Sequence, residues 1–450
     1  MRVMVVGGGG REHAIAWSLA QSSQVQQVLC IPGNGGTAAL PKCKNIAMAT
    51  HDVDGIARIA GVQGVSLVVV GPEEPLAKGI ADQLRQQNLP VFGPTQAGAQ
   101  IESSKSWAKA LMQKAQIPTA AAKTFTTAAA AKTHIQTQGA PIVVKADGLA
   151  AGKGVIVAQT IGEALAAVDA LTAQGFTKLV IEELLRGQEV SVFALTDGTH
   201  FRTLLPAQDH KRIGEGDTGK NTGGMGVYAP APLVTSELMG RIEREIIAPT
   251  LTALRSQDIH YCGVLYAGLM ITPEGDPKVV EFNCRFGDPE TQVILPLLET
   301  PLEKLLLACV QGKLADFPPL EWKGDRALCV VAAAAGYPDE YKKWLPITGI
   351  EQAESEETLV FHAGTQQRGK ELLSSGGRVL GVTGLGADFD GAADKAYGAI
   401  AAIDFEGIYY RHDIGYRVRK EWAAPTDGAS EETDAENIPE PEDNSAPEEE

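Results

Sequence analysis

The chain has 450 residues, 44% of them hydrophobic and 21% charged, a globular balance that at roughly 150 residues per domain predicts about three domains. Its formal net charge of -17 is concentrated at one end, because residues 421–450 hold nine Glu and three Asp with no Lys or Arg, leaving 44 acids against 39 bases in the body. A body near -5 lacks the basic footprint of a duplex-binding protein, no apolar run reaches the ~18 residues of a membrane span, and the opening MRVMVVG is strand-like rather than a basic leader.

The expectation is therefore a cytoplasmic protein with no nucleic-acid or membrane partner. Six cysteines, at 30, 43, 262, 284, 309 and 329, are scattered without a C-x-x-C pair, which predicts free thiols rather than a zinc site or a disulfide framework. Along the first hundred residues, apolar runs alternate with helical patterns: RVMVVG, helix 12–20, QVLCIPG, helix 52–60, SLVVVGP, helix 76–87, then PVFGP. That alternation predicts a parallel α/β sheet, and the Gly or Pro closing each run puts the functional loops at the carboxyl edge of the strands.

A helix is predicted over 102–115 behind Ser103 and Ser104, with 118–127 as a connector. The runs PIVVKADG, GVIVAQ, KLVIEELL and EVSVFALT, with helix 162–171 among them, predict a small antiparallel sheet carrying a helix. Strands GVLYAGLMIT and PKVVEFN and helices 236–254 and 293–311 follow, together with the glycine-rich stretch GEGDTGKNTGGMG. A last unit holds ALCVVAAAAG, GGRVLGVTGLG and a helix over 391–402, and the Glu- and Pro-rich remainder is expected to be disordered. The division expected is an N-terminal parallel α/β domain over 1–101, a core over 102–326 with a small α+β lobe over about 124–192, an α+β unit over 327–420, and the acidic tail 421–450.

Three segments carry chemistry. Gly7-Gly8-Gly9-Gly10-Arg11-Glu12-His13 lies between strand and helix, where backbone N–H groups and the helix dipole suit a phosphate. Read as G-x-G-x-x-G it puts Glu12 where the last glycine belongs, and the turn after the second strand, Pro32-Gly33-Asn34-Gly35-Gly36-Thr37, lacks a ribose-binding acid, so a nicotinamide dehydrogenase is the weaker reading. Gly148-Leu149-Ala150-Ala151-Gly152-Lys153-Gly154 has neither the spacing nor the Ser/Thr of a Walker loop and sits between two strands. It can still fold as a glycine-rich flap over a triphosphate, with Lys145 supplying charge; the bland alternative is a surface hairpin.

The third segment is Val279-Val280-Glu281-Phe282-Asn283-Cys284-Arg285-Phe286-Gly287-Asp288-Pro289-Glu290. Strand alternation sets Glu281, Asn283 and Arg285 on one face and Phe282 and Cys284 on the other. Two hard oxygen donors beside a guanidinium suit a magnesium-nucleotide site, whereas a merely solvated polar face would leave the apolar character of the opposite face and the preceding strand unexplained.

Together, VVKADGLAAGKGV, IEELLRGQEVSV, QDHKR, NTGGMG and EFNCRFGDPETQ, behind GGGGREHA and GPEEPL, resemble the phosphoribosylamine-glycine ligase family, ATP-grasp enzymes of purine synthesis, over roughly residues 1–420. The resemblance implies an N-terminal domain, an ATP-grasp core and a C-terminal domain around one active site, in a monofunctional and monomeric enzyme. It implies ATP held by Lys105, Lys145 and the flap residues Gly148, Gly152, Lys153 and Gly154, with Glu182, Glu183 and Leu185 along the adenine edge and Glu189 on the ribose. Glu281 and Asn283 would hold Mg2+ or Mn2+. Phosphoribosylamine would meet Gly9, Arg11, Glu12, Asn34, Gly36, Pro72 and Glu73, while Asp209, Lys211 and Arg285 would surround the glycine carboxylate or its phosphate. The expected reaction joins glycine to 5-phosphoribosylamine through a glycyl phosphate; the rivals are an ATP-grasp ligase for another carboxylate, the dehydrogenase, and a non-catalytic nucleotide-binding module.

Overall fold

The computed structural model describes residues 1–150 and 154–420. The N domain is a sheet of β1 (Arg2–Gly7), β2 (Gln27–Pro32), β3 (Cys43–Asn45), β4 (Leu67–Val70) and β5 (Val91–Phe92), in the order β3-β2-β1-β4-β5 with every pair parallel. Its strands are apolar runs because helices cover both faces: Val3 and Val5 pack to one side and Met4 and Val6 to the other, all with no exposed surface. The order reverses at β1, so the loops after β1, β2 and β4 converge at one carboxyl edge. The predicted helix over 76–87 is two pieces, Glu73–Ala77 and Ile80–Gln86, parted at Gly79 with φ +82°.

The small lobe is an antiparallel sheet of β6 (Ala122–Phe125), β7 (Ile142–Ala146), β8 (Val155–Ala158) and β9 (Leu179–Glu183), in the order β6-β9-β7-β8, with the helices Ala128–Gln138 and Ile161–Ala173 over its apolar side. Two expectations are corrected here. Residues 122–125 form the edge strand rather than part of a connector; their mostly exposed side chains hid them from a search for apolar runs. EVSVFALT, expected in this lobe, instead lies in the strand Gln188–Thr196, which pairs with Gly263–Ile271 along its whole length. Seven consecutive buried residues from Val190 to Thr196 mark a central strand covered on both faces, which a small one-sided sheet cannot offer.

That core sheet continues from Gly263–Ile271 to Pro277–Asn283. The second large sheet joins Gln208–Asp209 and Gly226–Ala229 to Arg326–Ala333, Arg378–Gly386 and Thr358–His362, so the middle of the chain contributes two strands to the C-terminal sheet. The helix predicted over 102–115 is preceded by Gln96–Ser103 and begins at Lys105, with Ser104 Oγ accepting from the Trp107 N–H as its N-cap. The one predicted over 293–311 is interrupted: Thr291–Leu297 and Leu302–Val310 are separated by a break that ends at Pro301. No helix among the described residues is long and apolar enough to cross a membrane.

Candidate active site

A cavity of about 580 Å³ opens where these units meet. Its walls include Arg11 and Glu73 from the N domain, Lys145 and Glu182 from the small lobe, Glu281, Asn283 and Arg285 from the core sheet, and Asp209 and Arg378 from the C-terminal sheet. The strand Pro277–Asn283 brings Glu281 and Asn283 to the cavity as its alternation predicts, and the following Cys284 is buried in the apolar core; Phe282, also packed in that core, borders the cavity as well. Arg285 is held in advance. Its Nε is 3.1 Å from Glu73 Oε2, and its Nη2 is 2.9 Å from Glu102 Oε1 and donates to Asn283 Oδ1 at 3.3 Å.

The two carboxylates respond in opposite directions. Burial dominates at Glu102, whose side chain is 8% exposed, and raises its pKa even beside Arg285. At Glu73, 32% exposed, burial is outweighed by Arg285 and Arg11, and the pKa falls.

On the small-lobe side, Lys145 and Lys109 both pair with Glu182 Oε2, at 2.9 and 3.2 Å, and Lys145 Nζ donates to the Val280 carbonyl at 3.1 Å, tying the lobe to the core sheet. Glu182 Oε1 is buried with no hydrogen-bond partner. Lys105 Nζ donates to the Gly148 carbonyl at 3.0 Å, where φ of +133° requires a glycine. Burial lowers the pKa of Lys105, and Glu281 opposes that shift. Gly148, Gly154, Glu183, Leu185 and Glu189 also line the cavity, whereas Gly152 and Lys153 lie outside the described residues.

Toward the C-terminal sheet, Asp209 and Lys211 share a wall with Glu189, Tyr266 and Glu290. Lys211 Nζ pairs with Glu189 Oε2; although burial opposes its charge, Glu189 and Asp209 hold its pKa well above the usual lysine value. Glu290 Oε1 accepts from Tyr266 Oη at 2.6 Å and from Ser191 Oγ at 3.0 Å. Burial, aided by the charges of Glu290 and Glu189, outweighs the opposing Lys211 and raises Asp209 to about 7. The folded protein thus retains a proton that the unfolded chain releases near pH 4, so this stabilisation is full below that pH and is lost as pH rises through about 7. Asp209→Asn is expected to raise the melting temperature at pH 8 and leave it nearly unchanged at pH 4, as read by thermal melts at the two pH values.

The N-terminal loops divide. Arg11 and Glu73 line the cavity, whereas Gly9, Glu12, Asn34, Gly36 and Pro72 do not and instead shape the loops. Glu12, 2% exposed, accepts from the Gly9 N–H at 2.6 Å and from Arg11 Nε at 2.5 Å. Asn34 Oδ1 accepts from the N–H groups of Gly36 and Thr37 while its Nδ2 donates to the carbonyls of Gly8 and His362, and Pro72 caps the helix Glu73–Ala77. A Cβ on Gly71 would sit 2.0 Å from Glu12 Oε1. Gly71→Ala should therefore dislodge Glu12 and lower stability by about 1–3 kcal/mol, measured by urea unfolding.

Residues that the sequence reading passed over include Glu102, Lys109, Tyr266, Glu290 and Arg378. Arg378 donates to the carbonyls of Gly223 at 2.6 Å and Asp288 at 2.9 Å, fixing the NTGGMG loop against GDPE. Glu290 and Gly223 stood within quoted motifs, which was the available signal; Tyr266 lay in an apolar strand and carried none.

Family models for phosphoribosylglycinamide synthetase match the chain three times over: the N domain at residues 1–102, the ATP-grasp (A) domain at 103–291 and the C domain at 327–417. The chain belongs to the phosphoribosylglycinamide synthetase family. Among its relatives, a phosphoribosylamine--glycine ligase of Nostoc sp. (strain PCC 7120) is 63% identical over 423 residues, spanning 93% of this chain and all of that protein. The one from Synechocystis sp. (strain PCC 6803) is 55% identical over 93% of this chain and all of its own length. The crystal structure of the Thermotoga maritima ligase superposes with a TM-score of 0.80 at 34% identity, covering 92% of this chain and all of that one. A biotin carboxylase domain from Hydrogenobacter thermophilus, at 16% identity and TM-score 0.69, shares the fold over 91% of each chain. The family architecture of parallel-sheet N domain, ATP-grasp core and C domain is the one the sequence predicted.

Proposed function

We propose that this cavity catalyses the ATP-dependent ligation of glycine to 5-phosphoribosylamine, giving glycinamide ribonucleotide, ADP and phosphate in de novo purine synthesis. The observation that carries the reading is the face of Glu281, Asn283 and Arg285 in a cavity walled by all three family domains. A carboxylate is a poor electrophile; transfer of the γ-phosphoryl group to glycine gives an acyl phosphate, which the amine attacks with loss of phosphate.

ATP fits between the small lobe and the core sheet. The unpartnered Glu182 Oε1 offers an acceptor to the exocyclic amine of adenine, Glu183 and Leu185 continue that edge, and Glu189 suits the ribose. Lys105 and Lys145 bring charge to the phosphates, under a flap that includes Gly148 and Gly154. Among the described residues no group of three or more His, Cys, Asp or Glu is set to hold a metal alone. The oxygen donors of Glu281 and Asn283 on one cavity wall fit magnesium or manganese bound mainly through phosphates and water, and the ion would neutralise charge on the transferring group. Arg285, Lys211 and Asp209 surround the glycine carboxylate, with Arg285 aimed at charge that develops on the acyl phosphate. Phosphoribosylamine is met by Arg11 and Glu73, in loops shaped by Gly9, Glu12, Asn34, Gly36 and Pro72.

The division proposed is 1–101, 102–326 with its small lobe, and 327–420, with residues 208–209 and 226–229 lending two strands to the sheet of the last unit. One chain lines the cavity from every side, which supports a monomeric enzyme, and a purine-synthesis role suits the cytoplasm. ADP release should require glycine, phosphoribosylamine and magnesium together; equal release without glycine, or with alanine in its place, would overturn the assignment.

A further inference from the structure

The stretch GEGDTGKNTGGMG has no part in the chemistry above, yet its residues Asn221, Thr222 and Gly223 line the cavity. Residues 212–221 form a hairpin of Arg212–Gly214 and Thr218–Asn221 whose register slips between Arg212 and Gly214. Its second strand is exposed throughout, and Gly216, Asp217 and Gly219 all have positive φ. A two-stranded hairpin with so little packing does not hold one shape unaided. At its base, the Thr222 N–H donates to the Lys211 carbonyl at 2.8 Å, and Lys211, Asn221, Thr222 and Gly223 all line the cavity.

The tip is held by residues 409–417. Arg411 has no exposed surface, and its Nη1 donates to the Arg212 carbonyl at 3.0 Å and to Asp217 Oδ1 at 2.9 Å. Its other nitrogens donate to both oxygens of Asp413 at 2.7 Å, and Asp413 in turn accepts from the Gly216 N–H at 2.8 Å. Asp217 Oδ2 accepts from Tyr416 Oη at 2.9 Å and pairs with Arg417. His210 closes the node: the Gly415 N–H donates to its Nε2 at 3.0 Å, which leaves the proton of the neutral ring on Nδ1, facing Asp217. A buried guanidinium shared by two carboxylates and a carbonyl admits one hairpin orientation, because any other strands a charge.

We propose that Arg411, acting through Asp217, is a positioning residue for the glycine end of the active site: it fixes the hairpin whose base places Lys211 and the wall at residues 221–223. The inference rests on the ligase reading, and it is tested first by a measurement that does not. Asp217 has φ +54°, a conformation Asn also adopts readily, so Asp217→Asn removes the charge and keeps the backbone. Amide hydrogen exchange over 211–223 should quicken in this variant, with the small lobe unchanged and no ligand present. In the ligation assay, kcat/KM for glycine should fall about 10- to 100-fold, the scale of misplacing a reacting group by an ångström, while ADP affinity changes by less than about threefold.

Wild-type exchange and wild-type kcat/KM in a folded Asp217→Asn protein would overturn the inference, as would an equal loss of glycine turnover and ADP affinity. If Asp217→Asn does not fold, Tyr416→Phe deletes a single hydroxyl from the node; a smaller loss confined to glycine turnover supports the inference, and an unchanged enzyme overturns it. Failure of the ligase reading is separately visible, as wild-type protein with no glycine-dependent ADP release.

Discussion

Glu281→Gln should fold normally and lose at least about a hundredfold in turnover, the scale of removing one well-placed electrostatic contact. The substitution keeps the shape of a side chain on the cavity face of its strand and leaves Phe282 and Cys284 in the core. It removes a full negative charge from the oxygens proposed to hold the metal, and Lys105 loses a carboxylate that opposes the lowering of its pKa by burial. Initial rate against magnesium concentration, beside a thermal melt, decides the matter. A metal ligand predicts an unchanged melt with a higher magnesium requirement; a structural glutamate predicts the reverse, and wild-type rate at low magnesium would remove Glu281 from the metal site.

Replacing Arg285 should be as costly to rate and far more costly to stability. Arg285→Lys keeps the charge but loses the planar fork that spans Glu73, Glu102 and Asn283, and kcat/KM is expected to fall by about 10² to 10³. Arg285→Met also strands Glu102, whose other oxygen already accepts from the Cys284 N–H at 2.8 Å, and should cost about 3 kcal/mol at pH 7. Adding Glu102→Gln to that variant removes the stranded charge and should recover most of the stability and none of the rate. Urea unfolding and ADP release, measured on the single and double variants, separate the two roles; parallel recovery of rate would show that Arg285 acts only through folding.

The sequence was most legible where local pattern and local environment agree. The N-domain strands are buried on both faces and punctuated by glycine, so their order of appearance and their carboxyl-edge loops could be read directly. Glu281, Asn283 and Arg285 were legible because strand alternation alone sets them together. Assigning strands to sheets was less so: Gln188–Thr196 and β9 look alike as sequence, and only the long-range partner Gly263–Ile271 separates them. Glu102 was hidden as the start of a helix, since its role depends on Arg285 lying 183 positions away, and Tyr266 was hidden because an aromatic side chain in an apolar strand has the pattern of core. Among the expected substrate residues, Arg11 and Glu73 line the cavity and Glu12 and Asn34 do not, a distinction that depends on hydrogen bonds rather than on residue type.

The sheet that recruits Gln208–Asp209 and Gly226–Ala229 limits how this chain can be recombined. Arg326–Ala333 pairs on one side with Gly226–Ala229, so a fragment beginning near residue 326 would carry a bare, apolar strand edge, and the fragment ending there would carry another. Chimaeras with a relative that exchange everything after residue 326 would place one parent's strand against the other's along that ladder, and their yield should track how well the two parents match at residues 208–229. Grafting those residues together with the C-terminal segment keeps the ladder within one parent. The heritable unit of this half of the enzyme is thus discontinuous along the chain.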